Sequence, residues 1–347
     1  MPLSIKPRRF IGVVAAVATL ALATSCGGSA PKAATSPGTP VTFQWGYQTG
    51  TSSASLQLIA KSDGFFDKEN IDFKLVPANS TGTIVAGVTN RSIDGAMVAL
   101  STTAQTRQKG VKVTMLGGFT ASPRGLAVPV KDTSTPSVSG NTVSAFTPTL
   151  KALVGKTVGV PGLGGALPKE LDALGKLAGI PAGSFKYIDV EPGTPVIAAL
   201  KTATVDAVYE PLLSTAQAEA AGYSRTVMTT NNAPDSLSKS LLIGNMVNEA
   251  YLAEHPDFPE RYQRAIALAV KVFNDPGQRQ HVVDVLAANG VKFTTVDGTK
   301  FLSQTPAFAT LPKALVVSSL QFMFDAGVIP AEPKVNATDL VVPRGLS

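Results

Sequence analysis

One cysteine and two histidines are all that 347 residues offer of the side chains most used for metal binding and covalent catalysis. Cys26 stands alone, so an internal disulfide and a cysteine-rich zinc site are both excluded. His255 precedes Pro256 at a helix boundary and His281 belongs to the face of a surface helix; no HxxxH or Cys/His spacing joins them into a metal site. No metal and no cofactor is therefore expected. Charged residues make up 16% of the chain and aromatic residues 6%. Neither GxSxG nor GxxxxGK[ST] occurs, which removes the hydrolase nucleophile elbow and the P-loop. The nearest approach to a dinucleotide fingerprint is Gly159-Val160-Pro161-Gly162-Leu163-Gly164-Gly165, but Leu167 stands where GxGxxG needs its third glycine. What survives there is a glycine-rich turn at a helix start, either a plain tight turn or an anion site built from free N–H groups.

The basic excess is small once it is placed. The formal charge is +6, and Lys6, Arg8 and Arg9 supply half of it at the extreme N-terminus. They precede an uncharged apolar run, residues 10–23, that is shorter than the ~20 residues of a membrane span. Ala23-Thr24-Ser25 then lead directly into Cys26, which resembles a bacterial lipobox, with Ala23 where Leu is commoner. Residues 1–25 read as an export signal and 26–42, rich in Gly, Ser, Ala and Pro, as a flexible tether from a lipidated Cys26. The alternative is an ordinary signal cleaved nearby, with Cys26 incidental. Arg8-Arg9 leaves the general secretory and twin-arginine routes both open. Beyond residue 25 no Lys/Arg run longer than a pair remains, so nucleic acid is not an expected partner.

From residue 43 onward, short apolar runs alternate with helical patterns, the signature of parallel βαβ units. Strands are expected over residues 43–47, 71–76, 93–98 and 111–116, with helices over 52–69, 81–89 and 101–109 between them. The alternation resumes with strands over 157–160, 185–190 and 205–209 and helices over 165–178, 194–201 and 212–221. The character turns mostly helical after residue 249. Between the two runs, residues 131–150 are rich in Ser, Thr and Pro and read as a long surface loop. An internal correspondence links the runs: residues 86–96 (AGVTNRSIDGA) align with 198–208 (AALKTATVDAV). In both, a helix end passes through a polar turn into an apolar-Asp-small strand start, as expected if two domains of one topology face each other across a cleft.

Four segments carry a family resemblance. Residues 63–77 (DGFFDKENIDFKLVP), Ser92-Ile93-Asp94-Gly95, residues 153–160 (LVGKTVGV) and residues 205–211 (VDAVYEP) occur in that order. Together they resemble the substrate-binding proteins of ABC importers for nitrate, sulfonates, taurine and thiamine precursors. The resemblance covers residues 43–269 and implies the type II periplasmic-binding fold, an α/β architecture of two lobes, each a mostly parallel sheet flanked by helices, joined by two crossover strands. Residues 125–130 and 241–247 would be the crossovers, giving a first lobe of 43–130 plus 241–347 and a second of 131–240. The implied function is capture of a small polar or anionic organic solute, sulfonate- or taurine-like. The implied partners are an ABC permease and, through Cys26, the outer face of the cell membrane, with the protein acting as a monomer and not as an enzyme.

Ligands of open α/β sheets sit outside the carboxyl ends of the strands. That selects Tyr47, Gln48, Ser52 and Ser53 after the first strand, Asn79, Ser80 and Thr81 after the second, and Ser101 and Thr102 after the third. In the second lobe it selects Gly162, Gly164 and Gly165, and Glu210. Each hydroxyl is equally suited to capping a helix. Glu210 either meets an amine of the ligand or sits at the start of the next helix, and Arg124 pairs either with an anionic ligand or with an acidic residue across the hinge. Trp45, alternating with Phe43 and Tyr47, reads as core. Two other functions stay open: an enzyme on the same fold, resembling a sulfinate desulfinase or a pyrimidine synthase, and a solute-sensing lipoprotein without transport. The first lacks the cysteine and histidine clusters such enzymes use.

Overall fold

The computed structural model describes residues 39–78, 80–232, 242–293, 296–325 and 327–347. Within them the chain builds two sheets. β1 (Val41–Gln48), β2 (Ile71–Ala78), β3 (Gly95–Ala99) and β4 (Val113–Ala121) join the first. Between them run α1 (Ser55–Ser62), the one-turn α2 (Phe65–Lys68), α3 (Thr81–Thr89) and α4 (Leu100–Gln108). The second sheet takes β5 (Arg124–Pro129), β6 (Thr157–Val160), β7 (Lys186–Asp189), β8 (Ala207–Pro211) and β9 (Ser224–Thr229). Its helices are α5 (Val143–Lys151), α6 (Ala166–Leu177), α7 (Thr194–Lys201) and α8 (Leu212–Ala220). β10 (Leu242–Asn248) then returns to the first sheet, followed by α9 (Glu249–Glu254), α10 (Phe258–Asn274), α11 (Arg279–Ala288) and α12 (Gly298–Leu302). The two-residue β11 (Ala307–Phe308), α13 (Lys313–Asp325) and α14 (Ala337–Leu340) complete the chain.

The strand orders are β11-β4-β10-β3-β1-β2 and β7-β6-β8-β5-β9. Each sheet has three neighbouring parallel strands, β2-β1-β3 in one and β7-β6-β8 in the other. Each then has one antiparallel strand donated by the other half of the chain, β10 in the first sheet and β5 in the second. The two lobes therefore share one topology. The aligned segments show it atom by atom. Asp94 accepts from the backbone N–H of Gln44 at 2.7 Å, and Asp206 accepts from that of Thr157 at 2.8 Å. Their own N–H groups donate to the carbonyls of those same residues. Arg91 and Ala203, at matched positions of the alignment, both have positive φ (64° and 54°), so the turn bends identically in the two copies.

The exchange of strands sets the connections. β5 pairs with β8 and β9, so residues 124–129 lie in the second sheet, whereas the sequence reading kept 43–130 in the first lobe. The outward passage is Ser122-Pro123, between β4 and β5; the return runs from the end of β9 at Thr229 to β10. The region 131–150, expected to be a surface loop, contains the start of α5 and is pinned. Asp132 accepts from both the N–H and hydroxyl groups of Ser134 and Thr135, Arg225 donates to the Asp132 carbonyl at 2.7 Å, and Thr149 donates to the Pro136 carbonyl at 2.8 Å. Ser/Thr-rich composition hid these local bonds, because such residues suit loops and turn-anchoring bonds alike. Strand β9 was also not foreseen.

The first lobe is closed by an aromatic core between the sheet and α1, α2 and α10. Phe66 stacks on Phe73 at 4.1 Å, Phe43 meets Phe258 at 4.6 Å, and Trp45 is fully buried with its indole N–H donating to Asn245 at 3.0 Å. Trp45 is thus core, as expected. Gly95 lets β3 approach this cluster: a Cβ there would stand 2.5 Å from the Phe43 ring. On the far side, α13 reaches the second lobe, where Lys176 of α6 donates to the Asp325 carbonyl at 3.0 Å.

Candidate functional site

The carboxyl ends of β1, β2 and β3 face the glycine turn that follows β6, and a cleft of about 920 Å³ lies between them. Its first-lobe wall is made by Gln48 and Ser53 after β1, Ser80 and Thr81 at the start of α3, and Thr102 on α4. Ser80 on this wall is also the α3 cap, accepting from the Thr83 N–H at 3.2 Å. The second-lobe wall is the turn Gly162, Leu163, Gly164 and Gly165, leading into α6 without a side-chain cap. Gly162 has φ +71°, a conformation that keeps side chains off the turn.

Of the residues singled out from the sequence, Gln48, Ser53, Ser80, Thr81, Thr102, Gly162, Gly164 and Gly165 come together on this cleft. Ser52 lines a separate small crevice of about 20 Å³ beside it. Tyr47 does not reach the cleft: it is buried and stacked on Trp45 at 5.6 Å, because β1 alternates and its odd positions face the core. Ser101 is buried at 2% exposure on α4, turned away from the wall that Thr102 forms. Asn79 and Cys26 lie outside the described residues.

Glu210 is neither on the wall nor at a helix start. It sits within β8, fully buried, and neither carboxylate oxygen has a hydrogen-bond partner among the described residues. Burial first, then the negative charge of Glu191, push its pKa well above the carboxylate range, against the pull of Arg124. Arg124 does line the cleft, but its guanidinium is committed. It donates to Glu170 at 3.3 Å and to the Ser122 carbonyl and hydroxyl, and is 3% exposed. Its partner is an acidic residue, but one of its own lobe and not one across the hinge, because β5 belongs to the second sheet together with α6.

Three features of the cleft escaped the sequence. Asp189 ends β7, Glu191 follows it, and both line the cavity; Asp189 accepts from the Gly162 N–H at 2.8 Å, and Glu191 accepts from Gln48 of the other lobe at 3.3 Å. Burial and the neighbouring Asp189 raise the Glu191 pKa. The strand-end rule, applied to β7 as it was to β1–β3, selects both. A second bridge between lobes joins Lys169 of α6 to Gln105 of α4 at 3.2 Å. Finally, the cavity does not stop at the strand ends but runs between α3 and α4 as far as Asn90, Lys109 and Val111. Among the described residues no group of three or more His, Cys, Asp or Glu is placed to hold a metal, and no helix is long and apolar enough to cross a membrane.

Two lobes of one topology, trading a strand each and enclosing a cleft at the strand ends, define the periplasmic-binding-protein fold. The model of the NMT1-like family matches residues 36–287, and the chain belongs to that family. No curated protein sequence matches it. Solved structures of similar fold include the alkanesulfonate-binding protein SsuA from Xanthomonas axonopodis pv. citri, bound to MOPS: 15% identity, TM-score 0.66, covering 89% of this chain and 98% of that one. The periplasmic nitrate-binding protein NrtA from Synechocystis PCC 6803 superposes with TM-score 0.67 at 16% identity, covering 85% and 84%. The desulfurization enzyme DSZB matches at TM-score 0.57 and 15% identity, covering 87% and 97%.

Proposed function

We propose that this protein is the solute-binding component of an ABC importer, acting as a monomer. It would be held outside the cell membrane by a lipid on Cys26 and a tether ending near residue 42. It captures a small polar or anionic organic solute, of sulfonate or taurine-like chemistry, and hands it to the permease without chemical change. The observation that carries this reading is the cleft itself: about 920 Å³, walled on both lobes by hydroxyls and a glycine turn. Its dimensions suit an organic solute, since ligand pockets span ~300–1,000 Å³. The lobes touch across it through Gln48–Glu191 and Lys169–Gln105, the kind of contact that closure about the 122–123 passage makes or breaks. The catalytic alternatives resemble enzymes that use cysteine or clustered histidines, and the described wall carries neither. Similarity to DSZB is a likeness of fold at TM-score 0.57, below the 0.66 and 0.67 of SsuA and NrtA, which are named for the solutes they bind.

Thermal melting of the purified protein against sulfonates, aminosulfonates, nitrate, aromatic carboxylates and aminopyrimidines tests the reading. A ligand at a hundred times its Kd stabilises by ~2.7 kcal/mol, a readable shift. A shift with one chemical class, lost in Thr102→Trp, is the expected result. No shift with any class, and no solute released from the denatured protein in mass spectrometry, would overturn it.

A further inference from the structure

The charges around the cleft are sorted. At the strand-end centre stand two carboxylates, Asp189 and Glu191, which among the described residues accept hydrogen bonds from neutral groups, the Gly162 N–H and the Gln48 amide. The guanidinium on the cleft wall, Arg124, is already shared with Glu170. Burial raises the Glu191 pKa with Asp189 adding to it, as expected of a negative site with no cation in place.

The other end carries the opposite sign. Lys109, just past α4, lines the cavity and pairs with no carboxylate among the described residues. Lys169 reaches the same region, bonded only to the neutral Gln105, and its ammonium is disfavoured first by burial and then by the charge of Lys109.

Helix geometry sets Lys109 apart from the strand ends. α4 begins at a strand end, next to Ala99, and Lys109 follows its last residue; nine residues at ~1.5 Å each make the helix about 13 Å long. Between them the wall is apolar or weakly polar: Ile84 and Val85 of α3, Met97 and Val98 of β3, and Val111 beyond α4. Leu163, 55% exposed at the tip of the glycine turn, lines the same cavity from the other lobe. A compact oxyanion uses only the basic end and leaves that wall and the two carboxylates unmatched.

Building on the solute-binding reading, we propose that the solute is an elongated zwitterion. Its amino group docks at Asp189 and Glu191, its apolar spacer lies between α3 and α4, and its acidic group ends at Lys109 and Lys169. Specificity is then set by length as well as by head group, with the two lobes gripping opposite charges of one molecule.

Isothermal titration of the purified protein with a homologous series of ω-aminoalkanesulfonates, from two carbons upward, tests this. Each methylene buried along the wall tightens Kd roughly three- to fourfold until the span is filled. Hexylamine and hexanesulfonate, each lacking one head, bind at least ten times more weakly than 6-aminohexanesulfonate. Glu191→Gln narrows the advantage conferred by the amine, and Lys109→Met that conferred by the sulfonate. Ala86→Trp, at an exposed groove position, removes the gain with length. A Kd independent of chain length, or equal binding by a single-headed analogue, overturns the proposal. Tight binding of taurine or nitrate with no gain along the series overturns it too, yet leaves the solute-binding role standing. Absence of binding across the series also counts against it; the wider ligand panel then decides whether the solute-binding role itself survives.

Discussion

Arg124 and Glu170 form a buried pair beside the passage between the lobes, and removing one member has a calculable consequence. The guanidinium Nε lies 3.3 Å from the carboxylate, with the side chains 3% and 5% exposed. At an effective dielectric of 20, charges at that distance attract by about 5 kcal/mol. Replacing Glu170 with Leu deletes that attraction and leaves a desolvated cation whose remaining partners are the Ser122 carbonyl and hydroxyl. The expected cost is about 3–5 kcal/mol, the range for breaking one side of a buried pair. The double variant Arg124→Met/Glu170→Leu restores most of that loss, because an apolar pair of similar volume forgoes the desolvation of both ions. The assay is urea unfolding of the four proteins of the cycle at pH 7, following tryptophan fluorescence of the single Trp45 and far-UV circular dichroism so that separate lobe transitions are seen. A Glu170→Leu cost below about 1 kcal/mol, or a double variant no better than the sum of the singles, would refute the assignment of this pair as mutually dependent.

Three further outcomes follow from particular bonds. Asp94→Ala and Asp206→Ala each cost about 1–2 kcal/mol in urea unfolding, since each carboxylate holds the N–H of a central strand. Asp94→Asn is nearly neutral, because burial already raises the Asp94 pKa and a neutral acceptor suits the site. Glu210 is protonated in the fold at pH values where the unfolded chain ionises it, so above pH ~4.5 the native state binds the extra proton. Stability then falls with rising pH by up to ~1.4 kcal/mol per unit until the raised native pKa is passed, and Glu210→Gln removes that slope in unfolding midpoints measured from pH 5 to 8. Asp132 behaves in the opposite sense. Burial opposes its ionisation, but bonds from Thr135 and Ser134 prevail and lower its pKa to about 2. Its stabilisation is full above pH ~4 and lost as pH falls through about 2, so Asp132→Asn weakens the fold at pH 7 and its effect fades as pH drops below about 2.

The sequence was most legible where a single local rule suffices. Thr81–Thr89, Thr157–Val160 and Thr194–Lys201 have the bounds that periodicity and capping chemistry suggest. The Asp94/Asp206 correspondence is a true repeat because an identical backbone clip demands the same residue at the same spacing. Less legible was anything set by partners distant in sequence. Arg124–Pro129 reads as a continuation of the first lobe until its bonds to β8 and β9 are seen. Tyr47 and Ser101 neighbour wall residues in sequence, but strand and helix geometry turn them inward. Glu210 could be placed near a strand end, not inside a dry one. The groove between α3 and α4, with Lys109 at its end, depends on how the two helices lie side by side. No motif records that.

The central claim is that one solute is held by both lobes at once, and amide hydrogen exchange with and without the ligand found by melting tests it most directly. The account predicts slowed exchange at the start of α3, around Thr81–Ile84, and also in the glycine turn and first turn of α6, around Gly162–Leu167, with the wall-forming loop at Ser53 following. Protection confined to one lobe, or located away from these segments, would contradict it.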